Sequence, residues 1–359
     1  MRIMTIIGTR PEIIRLSLII RKLDNNAEHL LVHTGQNYTE SLNDIFFKEL
    51  EIRAPDYSLG AKSNLFGEQL SIILKKIEKL LLRERPDKVL ILGDTNSGLS
   101  AVTSERMGIP VYHMEAGNRC FDTKVPEEIN RKIIDAISSH ALPYTPGSRE
   151  NLLKEGIPKK RIFVSGNPIY EVLNSYMDKI EDSLILDKLC LKEKEYFLVT
   201  AHRAENVDVK PRLEQIVKGI GKIEDLYHLP VIISVHPRTK NKLEQFGLLF
   251  GSLNIRLSEP FGFFDFVKLE KNAKCVLTDS GTVQEECCIL NVPAITVRDT
   301  TERPETLECG SNILSGVDQD KMLKCTQIML SSQDKWNYPE GYTDSNVSDK
   351  VVKFILGTN

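Results

Sequence analysis

The sequence predicts an α/β protein with two Rossmann-like, doubly wound parallel sheets, and three observations carry that expectation. Short runs of β-branched and apolar residues alternate with longer amphipathic stretches from one end of the chain to the other. The runs are continuously apolar rather than alternating, the pattern of strands covered by helices on both faces. At 359 residues the chain exceeds what one core can organise, so two domains of roughly 150–200 residues are expected.

Taken in order, IMTII (3–7), HLLVH (29–33), KVLIL (88–92), PVYHM (110–114) and RIFVS (161–165) predict the strands of the first half. YFLVT (196–200), PVIISV (230–235), KCVLTD (274–279) and PAITV (293–297) predict those of the second. Between them, SIILKKIEKLLLRE (71–84) and RLEQIVKGIGKIEDL (212–226) carry helical apolar spacing. The charged stretch DKIEDSLILDKLCLKEKE (178–195) marks the boundary, giving domains 1–170 and 171–345. Two such halves imply a ligand cleft between the carboxyl ends of the two sheets.

Composition narrows the partners. The formal net charge of −3, with 27% charged and 41% hydrophobic residues, gives no electrostatic reason to expect nucleic acid or an anionic membrane surface. No run approaches the roughly 18 apolar residues of a membrane span, and the apolar start is too short for a signal peptide, so a cytoplasmic protein is expected. The seven cysteines lack CxxC spacing and are expected to be reduced thiols, Cys120 included. GxGxxG, GxxxxGK[ST] and HExxH are missing, so neither NAD, ATP hydrolysis nor a bound metal is expected.

The informative residues sit where strands end. GTRPEIIR (8–15) starts a helix, with Thr9 and Glu12 as a capping box and Pro11 in the first turn. Arg10 does not fit that account, because a cation beside the positive end of a helix is unfavourable unless an anion binds in front of it. Arg15 lies farther along the same helix and is a second candidate for that anion. TDSGTVQEECC (278–288) presents Ser280 and Gly281 at another helix start, a natural phosphate cradle, and a glutamate there suits either the helix dipole or ribose hydroxyls. Arg303 in DTTERPE (299–305) reads as a ligand contact.

His202 in AHRAEN (201–206) directly follows a buried strand, and Asp94 in ILGDTNSG (91–98) suits either an N-cap or a site. HMEAGNRCFDTKVPEEINRK (113–132) places Glu115 at a strand's mouth and Glu127 and Glu128 at the next helix start. Asp94, Glu115 and Glu127 are therefore candidates for acid–base work in the first half.

GTRPE, GDT, EAG, PEEINR, AHRAEN, TDSG with QEE, and TERPE follow one another in one order along essentially the whole chain. In this the sequence closely resembles the non-hydrolysing UDP-N-acetylglucosamine 2-epimerases. The resemblance implies a fold of the glycosyltransferase-B type, with UDP in the interdomain cleft and a C-terminal helix (346–359) packing back on the first domain. It implies that Asp94, Glu115, Glu127 and His202 form the catalytic group, and that Arg10, Arg15, Phe266, Ser280, Gly281, Thr282, Glu286, Arg303 and His202 contact the UDP-sugar. The implied chemistry is anti elimination of UDP to a 2-acetamidoglycal, then re-addition with the proton on the opposite face of C2. It needs no cofactor, and the family suggests a homodimer.

Departures from the family pattern point further. Arg15 stands where a lysine is usual, Ala204 replaces an arginine, and GQNY (35–38) differs from the segment where some members bind an activating second substrate. The shortened loop GNRCFDTKVPEE (117–128), with PFGFFD (260–265), resembles the capsule-biosynthesis branch, which converts UDP-2-acetamido-2,6-dideoxy-L-talose to UDP-N-acetyl-L-fucosamine. The general UDP-N-acetylglucosamine/UDP-N-acetylmannosamine epimerase, a glycosyltransferase of the same fold and a non-catalytic nucleotide-sugar sensor are the other readings.

Overall fold

The computed structural model describes residues 1–35, 40–331 and 335–358, with backbone alone at 40–44. Gln36 to Tyr38 of the GQNY segment lie outside the described residues. The chain forms two compact units, Met1–Ser175 with Glu340–Asn359, and Tyr176–Pro339.

The first unit holds β1 (Arg2–Ile7), β2 (Glu28–His33), β3 (Tyr57–Ser58), β4 (Lys88–Leu92), β5 (Val111–Met114) and β6 (His140–Leu142). The second holds β7 (Phe197–Thr200), β8 (Val231–Ser234), β9 (Ile255–Ser258), β10 (Cys275–Thr278), β11 (Ala294–Thr296) and β12 (Asn312–Leu314). The sheets run β3-β2-β1-β4-β5-β6 and β12-β11-β10-β7-β8-β9, with every pairing parallel. Counted from its own first strand, each sheet has the order 3-2-1-4-5-6, which reverses direction beside its first strand. Those switch points, β1/β4 and β7/β10, are where crossing helices diverge and leave room for a ligand.

The apolar runs fill both faces. Met4, Ile6, Val89, Ile91 and Val111 meet Ile73, Ile77 and Leu81 of the helix Phe66–Glu84 on one face of the first sheet. In the second, Phe197, Val199, Ile233 and Leu277 meet Ile216, Ile220 and Ile223 of the helix Lys210–Tyr227.

One predicted strand is absent. Residues 161–165 form a single bridge, Ile162 to Ala141, while Phe163 and Ser165 donate their N–H groups to Ala141 and Pro143 carbonyls at 2.9 Å each. Gly166, at φ 84°, then turns the segment away from the sheet. The outer strand is instead His140–Leu142, too short and polar at its start to be read from the sequence.

The C-terminal helix Val347–Gly357 belongs to the first unit, against the helices Arg10–Asn26 and Pro168–Ser175. Lys22 pairs with Asp349 at 2.6 Å, and Ser348 N–H donates to Glu171 at 2.7 Å. Its carboxyl end is closed by Lys88, buried on β4, whose ammonium donates to the Ile355 carbonyl at 2.6 Å and to that of Thr358. A cation there answers both the unpaired carbonyls and the dipole. Lys88→Met should cost about 1–3 kcal/mol, the value of stranding buried acceptors. Hydrogen exchange across 347–357 should rise selectively; unchanged protection there would refute the capping role.

Candidate active site

In the first unit the site is built at the carboxyl ends of β1, β4 and β5. Gly8 follows β1, and a Cβ there would stand 2.1 Å from Ser97 Oγ and 2.3 Å from Thr34 Oγ1, so only glycine lets these turns close together. The helix Arg10–Asn26 starts with the capping box read from the sequence: Glu12 accepts the N–H groups of Gly8 and of Thr9, the latter at 3.0 Å. Glu12 does more than cap. It is buried, and Thr95 of the β4 loop donates to it at 2.6 Å, tying the first turn to the segment that carries Asp94. Burial, opposed by these donors and reinforced by the charge of Asp94, pushes its carboxyl up to about 7.

Arg10 is partly buried over the Phe46 ring, 5.8 Å from its centroid, and pairs with no carboxylate among the described residues. Burial lowers its pKa. An uncompensated guanidinium at a helix N-terminus is the geometry expected where an anion docks. Arg15 is used differently: it is buried and forms an ion pair with Glu115.

Glu115 ends β5 in the left-handed region, φ 67°, a conformation that costs a non-glycine residue about 1–2 kcal/mol. Its carboxylate lies beside Gly93, whose added Cβ would stand 3.9 Å from Glu115 Oε1. Asp94 follows Gly93 immediately, so the two carboxylate-bearing turns are neighbours. Asp94 accepts from Arg131 Nε at 2.7 Å, and its carbonyl from Asn130 at 2.9 Å.

The helix Pro126–Ile137 supplies the rest from one face, where residues three and four apart align. Glu128, fully buried, accepts from Arg131 at 2.7 Å and from the N–H groups of Cys120 and Phe121 at 3.1 and 3.2 Å. Arg131 therefore lies between Glu128 and Asp94, and Glu128 anchors the loop after β5. Asp135 accepts from Gly117 N–H at 3.0 Å, pairs with Arg119 at 2.7 Å, and contacts His113 Nδ1 at 2.8 Å. Burial raises its carboxyl, but His113 and Arg119 outweigh that and hold it below the usual range. His113 Nε2 donates to the Gly93 carbonyl at 2.9 Å, so one histidine braces both carboxylate-bearing turns. Glu127 stands partly exposed at the helix start. Cys120 is buried and its thiol pKa is raised by that burial, the behaviour of a packing residue.

In the second unit the adjacent ends of β7 and β10 carry His202 and Ser280. Asp279, fully buried, accepts the N–H groups of His202 at 3.0 Å and Arg203 at 2.9 Å, and the Asn206 amide at 3.2 Å. The His202 ring is 37% exposed, with Nδ1 3.4 Å from Asp279. The helix Gly281–Ile289 has no side-chain cap, so its first N–H groups, around Gly281 and Thr282, can meet an anion. A Cβ on Gly281 would stand 2.4 Å from Glu302 Oε1. Arg303 is buried and ion-paired with Glu285 at 2.6 Å, while Glu302 pairs with Arg298 at 2.8 Å and Arg203 at 3.6 Å. Glu286 is buried, and Phe266 packs partly exposed against the unit's core.

Sequence reasoning did not single out Arg131, Asp135, His113, Asp279, Arg298 or Glu302 as site-forming. The signal of Arg131, Asp135 and His113 was charge inside helices and strands, and that of Asp279, Arg298 and Glu302 was charge in loops after strands; both become telling once the residues prove buried.

Comparison with known proteins agrees with this architecture. Residues 21–356 match the model of the UDP-N-acetylglucosamine 2-epimerase family, to which the chain belongs. It is accordingly an isomerase, with a two-domain fold of the glycosyltransferase-B type. It is 45% identical to a UDP-N-acetylglucosamine 2-epimerase of Methanocaldococcus jannaschii, over 99% of each chain. It is 33% identical to a UDP-2,3-diacetamido-2,3-dideoxy-D-glucuronate 2-epimerase of Pseudomonas aeruginosa, over 98% of this chain and 100% of the other. The crystal structure of the M. jannaschii UDP-GlcNAc 2-epimerase in complex with UDP-GlcNAc and UDP superposes with a TM-score of 0.95, at 44% identity and 100% coverage of both chains.

Glu12 gives this site a pH signature. Its folded value of about 7 lies above the ordinary 4.5, so its stabilising contribution is complete below pH 4.5 and is lost as pH rises through 7. Glu12→Gln keeps an acceptor and removes the charge. Between pH 4.5 and 8 the variant should gain on the parent by up to about 3 kcal/mol, read as urea midpoints at both ends. A gap independent of pH would refute it.

Proposed function

We propose that the protein interconverts UDP-N-acetylglucosamine and UDP-N-acetylmannosamine by eliminating UDP and adding it back. A carboxylate takes the C2 proton, the C–H electron pair becomes the C1=C2 double bond, and the C1–O bond breaks so that UDP leaves with its bonding pair. Re-addition reverses these steps with the proton delivered to the other face of C2. Inverting C2 therefore needs proton transfer on both faces, and more than one acid–base group.

The observation that carries this reading is the cluster at the ends of β4 and β5. Asp94 and Glu115 stand on neighbouring turns, each paired with a buried arginine, and Glu127 heads the adjoining helix. Anionic carboxylates also favour the positive charge that develops at C1. His202, held beside Asp279, completes the proposed catalytic group. Arg10 and the groups around Ser280, Gly281, Thr282, Phe266 and Arg303 are proposed to hold the nucleotide and its phosphates, with Glu286 on the ribose hydroxyls, while Arg15 serves through its ion pair with Glu115. A homodimer and a place in surface-polysaccharide synthesis belong to the same proposal.

A second reading concerns the sugar. The loop 118–125 is held by Glu128 and by Arg119, which bonds Glu155 at 2.8 Å as well as Asp135, and it presents Phe121 71% exposed at φ 56°. A loop so fixed between two proposed catalytic glutamates shapes the sugar pocket, and its resemblance to the capsule branch favours the 6-deoxy-L-talo substrate. The relatives' names favour the gluco substrate, which we take as the principal one.

Asp94→Asn, Glu115→Gln and Glu127→Gln should each lower kcat on UDP-N-acetylglucosamine about 10²–10⁴-fold, the worth of a positioned acid or base. Near-normal rates in all three would place the chemistry elsewhere. The ratio of kcat/KM for the two substrates decides the sugar: a pocket made for the 6-deoxy compound would discriminate against the added hydroxyl by no more than on the order of 10²-fold. We expect UDP-N-acetylglucosamine to be the better substrate. Clear preference for the 6-deoxy compound would move the protein to the capsule branch.

A further inference from the structure

In the second unit the helix Gly281–Ile289, whose start forms the proposed phosphate cradle, packs against the short helix Pro304–Glu308 that follows Arg303. Polar contacts fix this junction near the cradle. Glu285 pairs with Arg303 at 2.6 Å, and Gln284 accepts from the Thr301 hydroxyl at 2.7 Å and the Asn312 amide at 3.3 Å. One turn beyond Glu285, the sulfur of Cys288 lies 3.8 Å from that of Cys309, the residue that ends the second helix. All seven cysteines are free thiols, and the chemistry proposed above uses none of them.

The two sulfurs are in direct contact but differ in access. Cys288 is 0% exposed, and its carbonyl accepts the Trp336 indole N–H at 3.0 Å. Cys309 is only half-buried, with its sulfur 3.3 Å from Ser311 Oγ and 3.5 Å from the Thr306 carbonyl. Cys287, next in the chain, instead packs into the apolar core of the unit. Thiol oxidation proceeds through the thiolate. Contact with the Cys288 thiol holds Cys309 below its ordinary value, against the effect of burial, while the same contact and burial push Cys288 up. The accessible sulfur is thus the one that ionises first, beside a second thiol placed to resolve it.

We propose that Cys288 and Cys309 form a redox modification site, which a peroxide oxidises to a reversible disulfide that weakens UDP binding by drawing together the two helices behind the cradle. The effect on UDP rests on the reading of that helix start and Arg303 as phosphate contacts. The Cys309 thiolate attacks one peroxide oxygen, the O–O bond breaks, and hydroxide leaves as the sulfenic acid forms. The Cys288 sulfur then displaces hydroxide from that sulfenic acid, and the S–S bond forms. The two thiol protons end on the departing hydroxides as water, so each sulfur gives one electron and the peroxide takes two. A disulfide holds its sulfurs about 2 Å apart, so closure shortens the present contact by nearly half. The Glu285–Arg303 pair spans the same junction one turn away, which carries the shift to the guanidinium and the helix start.

The test treats the full-length protein with hydrogen peroxide, maps disulfides by mass spectrometry of non-reduced proteolytic peptides, and titrates UDP calorimetrically. The oxidised parent should carry a Cys288–Cys309 cross-link within one chain. It should bind UDP about tenfold or more weakly, the worth of one hydrogen bond to a charged group, and recover with dithiothreitol. Cys309→Ser should form no such cross-link and keep its UDP affinity through peroxide treatment. Cys190→Ser, which removes an exposed cysteine, should behave as the parent does. The mapping in the parent stands whether or not the serine variants fold.

Peroxide treatment that leaves Cys288 and Cys309 unlinked, or drives Cys309 to the sulfinic acid in place of the cross-link, would overturn the proposal. So would a linked protein with unchanged affinity, or a Cys309→Ser variant that peroxide weakens as much as the parent. A reduced parent that does not bind UDP would remove the nucleotide-site reading, and the proposal with it. That outcome is distinct from one in which reduced and linked proteins bind UDP equally well.

Discussion

Arg15 and Glu115 form the contact on which the first unit's site depends. A guanidinium 1% exposed on the first helix meets a carboxylate 8% exposed at the end of β5. Taking either charge out of water alone would be costly, and removing one partner of such a pair typically destabilises by about 3–5 kcal/mol. The pair therefore locks the start of the helix Arg10–Asn26 to the β5 turn, past the end of β4. It also holds Glu115 in a left-handed conformation that the backbone would otherwise avoid.

The same logic repeats around it. Arg131 links Glu128 to Asp94, Arg119 and His113 compensate Asp135, and Glu12 draws donors from both the β1 and β4 turns. Each of these buried carboxylates has partners, so the turns that bear the candidate acid–base groups are fixed before any ligand arrives, as preorganised catalysis requires. In the second unit Asp279 does this for the His202 loop, and the Arg298–Glu302 and Arg303–Glu285 pairs do it for the start of the helix Gly281–Ile289. Both sites stand at topological switch points, where a doubly wound sheet leaves its strand ends uncovered.

How much of this was legible in the sequence follows from where each residue sits. The eight inner strands are continuous apolar runs, because both their faces are covered, and all eight were readable. The four that were not, β3, β6, β9 and β12, are the sheet edges, where YS, HAL, IRLS and NIL offer too little apolar pattern to register. The run at 161–165 was misread as a strand because its residues suit one, while Gly166 turns the chain off after a single bridge. Candidate site residues were legible where a charge broke an expected rule, as Arg10 does at a helix start. The bracing residues were not: His113 lies inside an apolar strand, and Asp135 on a helix whose sequence is ordinary, so only burial and pairing give them meaning.

The central claim, that strand-end carboxylates move a proton at C2, is tested most directly by turnover of UDP-N-acetylglucosamine in D₂O followed by NMR of the product. The account predicts UDP-N-acetylmannosamine carrying deuterium at C2, with deuterium appearing in the recovered substrate as the reaction reverses. Epimerised product that retains protium at C2 would contradict it.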